Sequence, residues 1–193
     1  MTLAERFAVE VERPRVREEA RAALFTSIRD ELIPAWYGTP WDFYGTSATP
    51  GQGKIACGYF VSTILQHAGL GVERYKLAQQ ASAQIVESLA PKEQVRWRRD
   101  GDRAAVLATV AAGGDGLSVV GLDNHTGFLL HDGERFDFCH SSYLAPVAVV
   151  CEPAVTSAAF TSRVYVVGPL FSDALVDAWL TGRAVPTVHT PGF

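Results

Sequence analysis

Apolar residues in the first part of the chain recur at spacings of three and four, the period of an amphipathic helix. One predicted helix carries this stripe on a single face: Ala20, Ala23, Leu24, Ile28 and Leu32. Pro34 ends that helix, and a loop dense in Gly, Pro, Thr and aromatic residues occupies 36–53. The apolar run 55–68 predicts a buried helix, the stripe in 74–89 predicts another, and 92–112 is predicted to be helical in pieces.

The pattern changes after residue 116, where short apolar or alternating segments replace the helical stripes. Five segments are predicted as strands: 117–122, 126–130, 134–139, 147–151 and 163–167. Asp132-Gly133 separates the second from the third and is a strong hairpin turn signal. Ser172 is placed to cap a final helix over 172–180. Helices followed by adjacent strands predict an α+β fold in which N-terminal helices pack on an antiparallel sheet.

Composition and net charge argue against some classes of function. Hydrophobic residues make up 48% of the 193 residues and charged residues 20%, which is typical of a soluble globular domain. The net charge is −4 and the isoelectric point is about 5.7, so no electrostatic grip on nucleic acid or on an anionic membrane is expected. The one basic cluster, 96–99, is interpreted as a solvated helix end because Asp100 and Asp102 follow it.

Targeting and metal signals are absent from the sequence. Acids and arginines are mixed through residues 1–15, so no secretory signal is seen. No later segment is apolar for long enough to span a bilayer. The chain as written is therefore expected to be cytoplasmic, or exported by a route that needs no cleaved signal. Three cysteines without a CxxC element argue against structural zinc and against a framework built only of disulfides. We expect no metal and no organic cofactor.

One cysteine stands where the aromatic loop meets a predicted helix. Cys57 closes the stretch YGTPWDFYGTSATPGQGKIAC and precedes an apolar run. A helix start carries unpaired N–H groups and partial positive charge, and both favour the thiolate, which is the nucleophilic form. Gly58 weakens a helix by about 1 kcal/mol relative to alanine, a cost that close approach of a substrate would explain. Cys57 is the predicted nucleophile, and a buried core cysteine is the alternative.

Two histidines in the strand-rich half complete a possible catalytic set. His125 lies in LDNHTGFLL and His140 ends a strand in FDFCHSSY. Each alone would be interpreted as a surface residue or a satisfied core residue. A thiol enzyme needs a base for the thiol proton and a third polar group that fixes the ring of that base. The three residues together supply that pattern.

The loop, the cysteine and both histidine segments resemble the NlpC-type cell-wall cysteine peptidases, a branch of the papain-like superfamily. That family places its cysteine at a helix start behind a loop similar to GTPY…GG…P…G.DCSG, where this chain has GTPWDFYGTSATPGQGKIACGYF. The family's histidine opens a strand in a motif like HVGIYL, and a second strand ends in IHAS. This chain has HTGFLLHDGERFDFCHSS in that place. The resemblance covers about residues 36–150.

The resemblance implies a role for each of the three residues. Cys57 matches the family's nucleophile, His125 its general base, and His140 the residue that orients the base. The hairpin between the histidines is slightly longer than in the family. Asp137 is therefore the substitute orienting residue to test.

The loop before the cysteine and the residue directly after it supply candidates for the substrate cleft: Trp41, Asp42, Tyr44 and Gly58. Trp41 stands where the family often has a tyrosine that contacts the active site. Ala56 and Gly58 replace the Asp and Ser that usually flank the cysteine, which marks a divergent member. For Asp42 and Tyr44, packing within the loop is the alternative interpretation.

The resemblance implies a single papain-like domain over 1–193, with a core at about 36–168. A helical extension at 1–34 precedes the core, and a helix with an irregular tail at 171–193 follows it. The implied activity is hydrolysis of an amide bond in peptidoglycan-type peptides through a thioester, with a peptide or cell-wall fragment as the partner. Two alternatives stay open: an acyltransferase or deamidase with the same Cys-His site, and a binding module with an inert cysteine.

Overall fold

Helices pack on both faces of a six-stranded antiparallel sheet in the computed structural model, which describes residues 1–189. The helices are α1 (Leu3–Phe7), α2 (Arg13–Thr26), α3 (Ile33–Ala35), α4 (Cys57–His67), α5 (Arg74–Ala78), α6 (Ser82–Leu89), α7 (Arg103–Ala111) and α8 (Asp173–Thr181). The strands are β1 (Gly71–Val72), β2 (Arg96–Arg98), β3 (Gly116–Gly121), β4 (Thr126–Asp132), β5 (Arg135–Ser141), β6 (Val149–Pro153), β7 (Tyr165–Pro169) and β8 (Ala184–Val185). Within residues 1–189, none of the helices has the length and apolar character that crossing a bilayer requires.

The large sheet has the strand order β2-β7-β3-β4-β5-β6, and every neighbouring pair in it is antiparallel. A separate parallel pair joins β1 to β8. This architecture confirms the predicted α+β class with its antiparallel sheet. The predicted tail at 171–193 begins as expected with a helix capped by Ser172, whose hydroxyl accepts from the Leu175 N–H. The last four residues of that tail lie outside the described residues.

The strand predictions were better than the helix predictions. All five predicted strands occur as β3 to β7. The prediction of helix in pieces over 92–112 was wrong at 96–98, because these residues form an edge strand paired with β7. A three-residue strand is too short to show a period in the sequence. The stripe over 74–89 is divided between α5 and α6, and helical structure continues past Pro34 to Ala35.

The N-terminal helices belong to the main core. Val16, Ala20 and Ile28 have no exposed surface, and they pack with α4 and the sheet in one apolar cluster. In that cluster the rings of Phe60 and Phe128 meet edge to face at 5.9 Å, which joins α4 to β4. Full burial of such side chains contributes about 1.5–3 kcal/mol each. Most of residues 1–34 is helical, and the buried side chains of this segment are part of the main core.

The two faces of the large sheet pack against two different apolar clusters. Phe128 and Cys139 point to the cluster that contains α4, whereas Leu129 and Phe138 point to a second cluster that contains α7. Successive residues of a strand alternate between faces. Neighbouring residues of β5 therefore enter different environments, and this decides which polar residues can meet.

A disulfide joins the two strands at the edge of the large sheet. Cys139 and Cys151 are directly opposed in the β5–β6 register and are bonded to each other. Alternation along β5 places Cys139 on the face opposite to His140, where it meets Cys151 of the neighbouring strand. No sequence signal pairs these residues until the register is known. Cys57 is left as the free cysteine.

Gly58 has a packing reason to be glycine. A Cβ added at this position would lie 2.3 Å from the carbonyl oxygen of Ala78 at the end of α5. Real side chains do not approach a backbone oxygen so closely, so α5 can pack against α4 only over a glycine. This contact accounts for the residue without a substrate, and a role for Gly58 in the substrate cleft stays a prediction.

Candidate active site

The start of α4 presents backbone donors to the Cys57 thiol. Ala56 precedes the helix in an extended conformation and supplies no side-chain cap. Its carbonyl accepts the first intrahelical bond, from the Phe60 N–H at 2.8 Å. The N–H groups of Cys57 and Gly58 are directed to the thiol, and so is the N–H of Thr126 at the start of β4. The sulfur therefore lies next to the chain segment that carries His125.

Burial and backbone donors act on the Cys57 thiol in opposite directions. The residue is only partly exposed, and removal of water from the sulfur raises the pKa of the thiol. The N–H groups of Thr126, Gly58 and Cys57 lower the pKa but do not outweigh burial. The N–H groups at the helix start therefore lower the pKa of the thiol, as expected for a helix N-terminus. In the resting protein, the net balance favours the neutral thiol.

His125 and His140 form a close, buried pair. Nε2 of His125 lies 2.7 Å from Nδ1 of His140, and the two rings meet edge to face. His125 is 2% exposed and His140 has no exposed surface. The close approach depends on Gly127, because a Cβ added there would lie 2.8 Å from the Cβ of His140. The structure thus brings together the two histidines that the sequence singled out.

Both imidazoles are held in the neutral form. Burial, with a smaller effect of the neighbouring His140, lowers the pKa of His125 to about 3. Burial lowers the pKa of His140 to about 3 as well. A neutral imidazole has one bare nitrogen that accepts a proton. Each ring therefore has a bare nitrogen at neutral pH, and burial makes that nitrogen a weak base.

Acid is expected to destabilise the protein through this pair. In the unfolded chain the histidines bind protons near pH 6.5, whereas in the folded protein they stay neutral until about pH 3. The unfolded state binds more protons between these values, so the free energy of unfolding falls as the pH falls from 6.5 towards 3. Each histidine contributes a slope of up to about 1.4 kcal/mol per pH unit.

Urea unfolding from pH 7 to pH 4 measures this dependence. His125→Gln is expected to show a shallower dependence than the parent protein. His67→Gln changes an exposed histidine and serves as the matched control, with the parental slope. Equal slopes for all three proteins would contradict a buried neutral pair.

Two residues that the sequence did not single out extend the pair. Nε2 of His140 lies 3.2 Å from Oε1 of Glu152. The same oxygen accepts from the Ser157 hydroxyl at 2.6 Å, and that hydroxyl accepts from the Phe160 N–H at 3.0 Å. Glu152 is one residue beyond the position opposite Cys139. Its contact with His140 depends on the β5–β6 register, which no sequence pattern reveals.

Asp137 does not meet the histidines. It belongs to the face of β5 that carries Cys139, whereas His140 shares the opposite face with Phe138, on which its ring stacks at 4.1 Å. Its carboxylate accepts from Arg135 at 2.6 Å and lines a separate cavity of about 600 Å³ with Cys139. In this structure His140, and not Asp137, contacts the ring of His125.

Aromatic rings continue outward from His125. The ring of Tyr143 lies 5.1 Å from that of His125, and Trp41 lies 6.1 Å from Tyr143. Trp41 and Tyr143 are both partly exposed, so they connect the buried imidazole to the surface. Tyr143 had no signal in the sequence beyond its place three residues after His140.

Asp42 and Tyr44 lie in an open groove of about 520 Å³ beside the loop. Asp42 accepts from the Tyr44 N–H at 2.9 Å and pairs with Lys54 at 3.0 Å, and these contacts lower the pKa of its carboxyl. The contacts match the loop-packing interpretation. Contact with a substrate stays a prediction for both residues.

The predicted site requires a contact between the Cys57 thiol and an imidazole, and the resting structure of residues 1–189 shows no such hydrogen bond. Among the hydrogen bonds of residues 1–189, none joins the Cys57 thiol to His125 or His140, and the donors at the sulfur are backbone amides. The 600 and 520 Å³ cavities are lined by residues other than these three. Hydrogen bonds of a catalytic site are often long or poorly aligned before a substrate binds. The Thr126 N–H is the contact that links the thiol to the chain segment of the buried histidine pair.

Within the described part of the chain, no three His, Cys, Asp or Glu side chains are grouped as metal ligands. The chemical groups of the candidate site are a thiol, two imidazoles and a carboxylate. Comparison with family models, with curated proteins and with solved structures gives no match to this chain. Any functional assignment therefore depends on the geometry and on the sequence resemblance.

Proposed function

We propose that this protein is a cysteine hydrolase that cleaves an amide bond through a thioester on Cys57. The observation that carries the proposal is the pairing of His125 with His140 at 2.7 Å next to the backbone segment that contacts the Cys57 sulfur. A base oriented by a third polar group beside a thiol is the arrangement required for nucleophilic catalysis. The papain-like fold and a cell-wall peptide substrate are parts of the same proposal, and they rest on the resemblance.

The proposed reaction begins with the neutral thiol. As Cys57 Sγ bonds to the amide carbonyl carbon, its proton passes to Nδ1 of His125, the ring nitrogen outside the histidine pair. The resulting imidazolium gives that proton to the leaving amine, and the C–N bond breaks to leave a thioester. Water, deprotonated by His125, then attacks the thioester. The carboxylic acid leaves, and the proton returns to the sulfur.

The backbone at the start of α4 has a second use in this reaction. The N–H groups of Cys57 and Gly58 have no partner four residues earlier in a helix. Donors of this kind stabilise the negative oxygen that forms when a carbonyl is attacked. The same amides lower the pKa of the thiol, which assists its deprotonation by His125.

Hydrolysis and acyl transfer share every step up to the thioester. The exclusion of water from His125 and His140 is the observation that keeps the acyltransferase or deamidase alternative. An acceptor amine competes with water more easily in a dry site. Identification of the reaction product, and not the fold, distinguishes hydrolysis from acyl transfer.

The second candidate is a binding module with an inert Cys57. The observation that favours it is the raised pKa of the thiol together with the absence, within residues 1–189, of a hydrogen bond from that thiol to an imidazole. In such a protein His125 and His140 stabilise the fold, and a bound peptide leaves unchanged.

A muropeptide that contains a γ-D-glutamyl linkage tests the proposal when the reaction is run in water enriched in ¹⁸O. Mass spectrometry is expected to show a free amine and one heavy oxygen in the new carboxyl group. With hydroxylamine added, a hydroxamate is expected, because the thioester is trapped. A product only with added amine identifies an acyltransferase. Tight binding of the peptide without any product identifies the binding module.

A further inference from the structure

A continuous chain of hydrogen bonds leads from Phe160, in the apolar cluster that contains α7, to the predicted base His125. The Phe160 N–H donates to Ser157, Ser157 donates to Glu152, and Oε1 of Glu152 also contacts His140. His140 in turn contacts His125. Ser157 and both histidines are buried, whereas the side chain of Glu152 is 28% exposed.

The Glu152 carboxylate decides which nitrogen donates in the hydrogen bonds of His140 and His125. An ionised carboxylate has acceptor sites only, so Nε2 of His140 must carry the proton that faces Glu152. A neutral imidazole has a single N–H, which leaves Nδ1 of His140 bare. Nε2 of His125, which lies 2.7 Å away from that bare nitrogen, must then be the donor.

The same argument determines the protonation of Nδ1, the other ring nitrogen of His125. Since its one proton is used on Nε2, Nδ1 is bare and has a lone pair. That nitrogen is the one outside the histidine pair and the one the proposed mechanism uses as the base. With the opposite tautomers, Nδ1 of His125 would hold a proton and would be unable to take one from a thiol.

We propose that Glu152 is a positioning residue that sets the tautomers of His140 and His125, and so makes Nδ1 of His125 the base. Ser157 supports it by holding the accepting oxygen in place. The inference rests on the proposed function for its catalytic meaning. The tautomers themselves are a property of the resting protein and exist whether or not Cys57 reacts.

Both imidazoles are neutral at pH 7, since burial lowers the pKa of each to about 3. Their tautomers are therefore measurable in the folded protein without a substrate. Long-range ¹H–¹⁵N correlation spectra distinguish a protonated ring nitrogen from a bare one. In the parent protein we expect protonated Nε2 and bare Nδ1 on both His125 and His140.

Two substitutions separate the accepting oxygen from the bulk of the side chain. Glu152→Gln retains an oxygen that accepts from both Ser157 and His140, and it should keep the parental tautomers. Glu152→Met has a similar length but no accepting oxygen, and it should show a mixture with protonated Nδ1 on His125. If the enzyme is active, Met is expected to lower kcat by about 10- to 100-fold, as loss of an outer partner of a site histidine does. Gln should recover most of that loss.

The outcomes distinguish this inference from the proposed function. Parental tautomers as expected, together with no activity on any amide, support the relay and reject the hydrolase. A proton on Nδ1 of either histidine in the parent protein overturns the relay, even if Glu152→Met does not fold. Unchanged tautomers in a folded Glu152→Met protein overturn it as well. If Glu152→Gln and Glu152→Met lose the same factor in kcat and both keep the parental tautomers, the inference is also overturned. Glu152 would then provide a negative charge and would not select the tautomers.

Discussion

Cys57→Ala is expected to abolish amide hydrolysis and to remove all labelling by a thiol-directed reagent such as iodoacetamide. Loss of a nucleophile of this kind reduces kcat on the order of 10⁴-fold or more, which leaves no measurable product. The labelling result is sharp because Cys139 and Cys151 are joined in a disulfide. Without reducing agent, Cys57 is the thiol that the reagent can modify.

Ser62→Ala is the matched control for this substitution. Ser62 lies on the same helix and is buried, and its hydroxyl bonds the Tyr59 carbonyl. It should retain labelling and hydrolysis at the parental rate. The unfolding transition of Cys57→Ala should stay close to that of the parent protein, because the change removes one partly exposed atom. Full hydrolysis by a folded Cys57→Ala protein would reject the proposed nucleophile.

His125→Ala is the second substitution with a large expected effect. Removal of a general acid–base costs about 10²- to 10⁴-fold in rate. The site also loses a hydrogen bond, because Nδ1 of the buried His140 loses the partner it has at 2.7 Å. An unpaired buried acceptor lowers the free energy of unfolding by about 1–3 kcal/mol. Steady-state kinetics and urea unfolding measure the two effects separately.

His131→Ala provides a close control for His125→Ala. His131 is also buried, belongs to β4, stacks on Phe136 at 4.3 Å and bonds the Gly114 carbonyl at 2.9 Å. It should lose stability without a comparable loss of kcat. Added imidazole is expected to restore part of the rate to His125→Ala, since it occupies the space the ring has left. A rate loss of the same size in both variants would point to stability, and not to a base, as the role of His125.

Sequence periodicity predicted the elements of the fold where a strong local pattern exists. The strands β3 to β7 and the cap at Ser172 were predictable because alternation and capping depend on neighbouring residues. The edge strand at 96–98 and the division of the stripe at 74–89 were not. A short strand and a break between helices are decided by packing against distant segments.

The sequence also identified the three residues of the candidate site, although not their partners. Cys57, His125 and His140 were singled out by residue type, order and resemblance. Glu152 was missed because it is 12 residues from His140 in the chain, and only the β5–β6 register brings them to 3.2 Å. Asp137 was an acceptable candidate in sequence, but the alternation of β5 sends it to the opposite face.

The sequence by itself determined the α+β class and the order of the chemical groups along the chain. Only the tertiary structure decided the charge state and the direction of these groups. Burial outweighs the local effect of the helix start at Cys57, and burial keeps His125 and His140 neutral. The free energy of an ionisable group depends on the solvent and the partners that surround it. Those surroundings are assembled from strands and loops far apart in the chain, so no local pattern contains them.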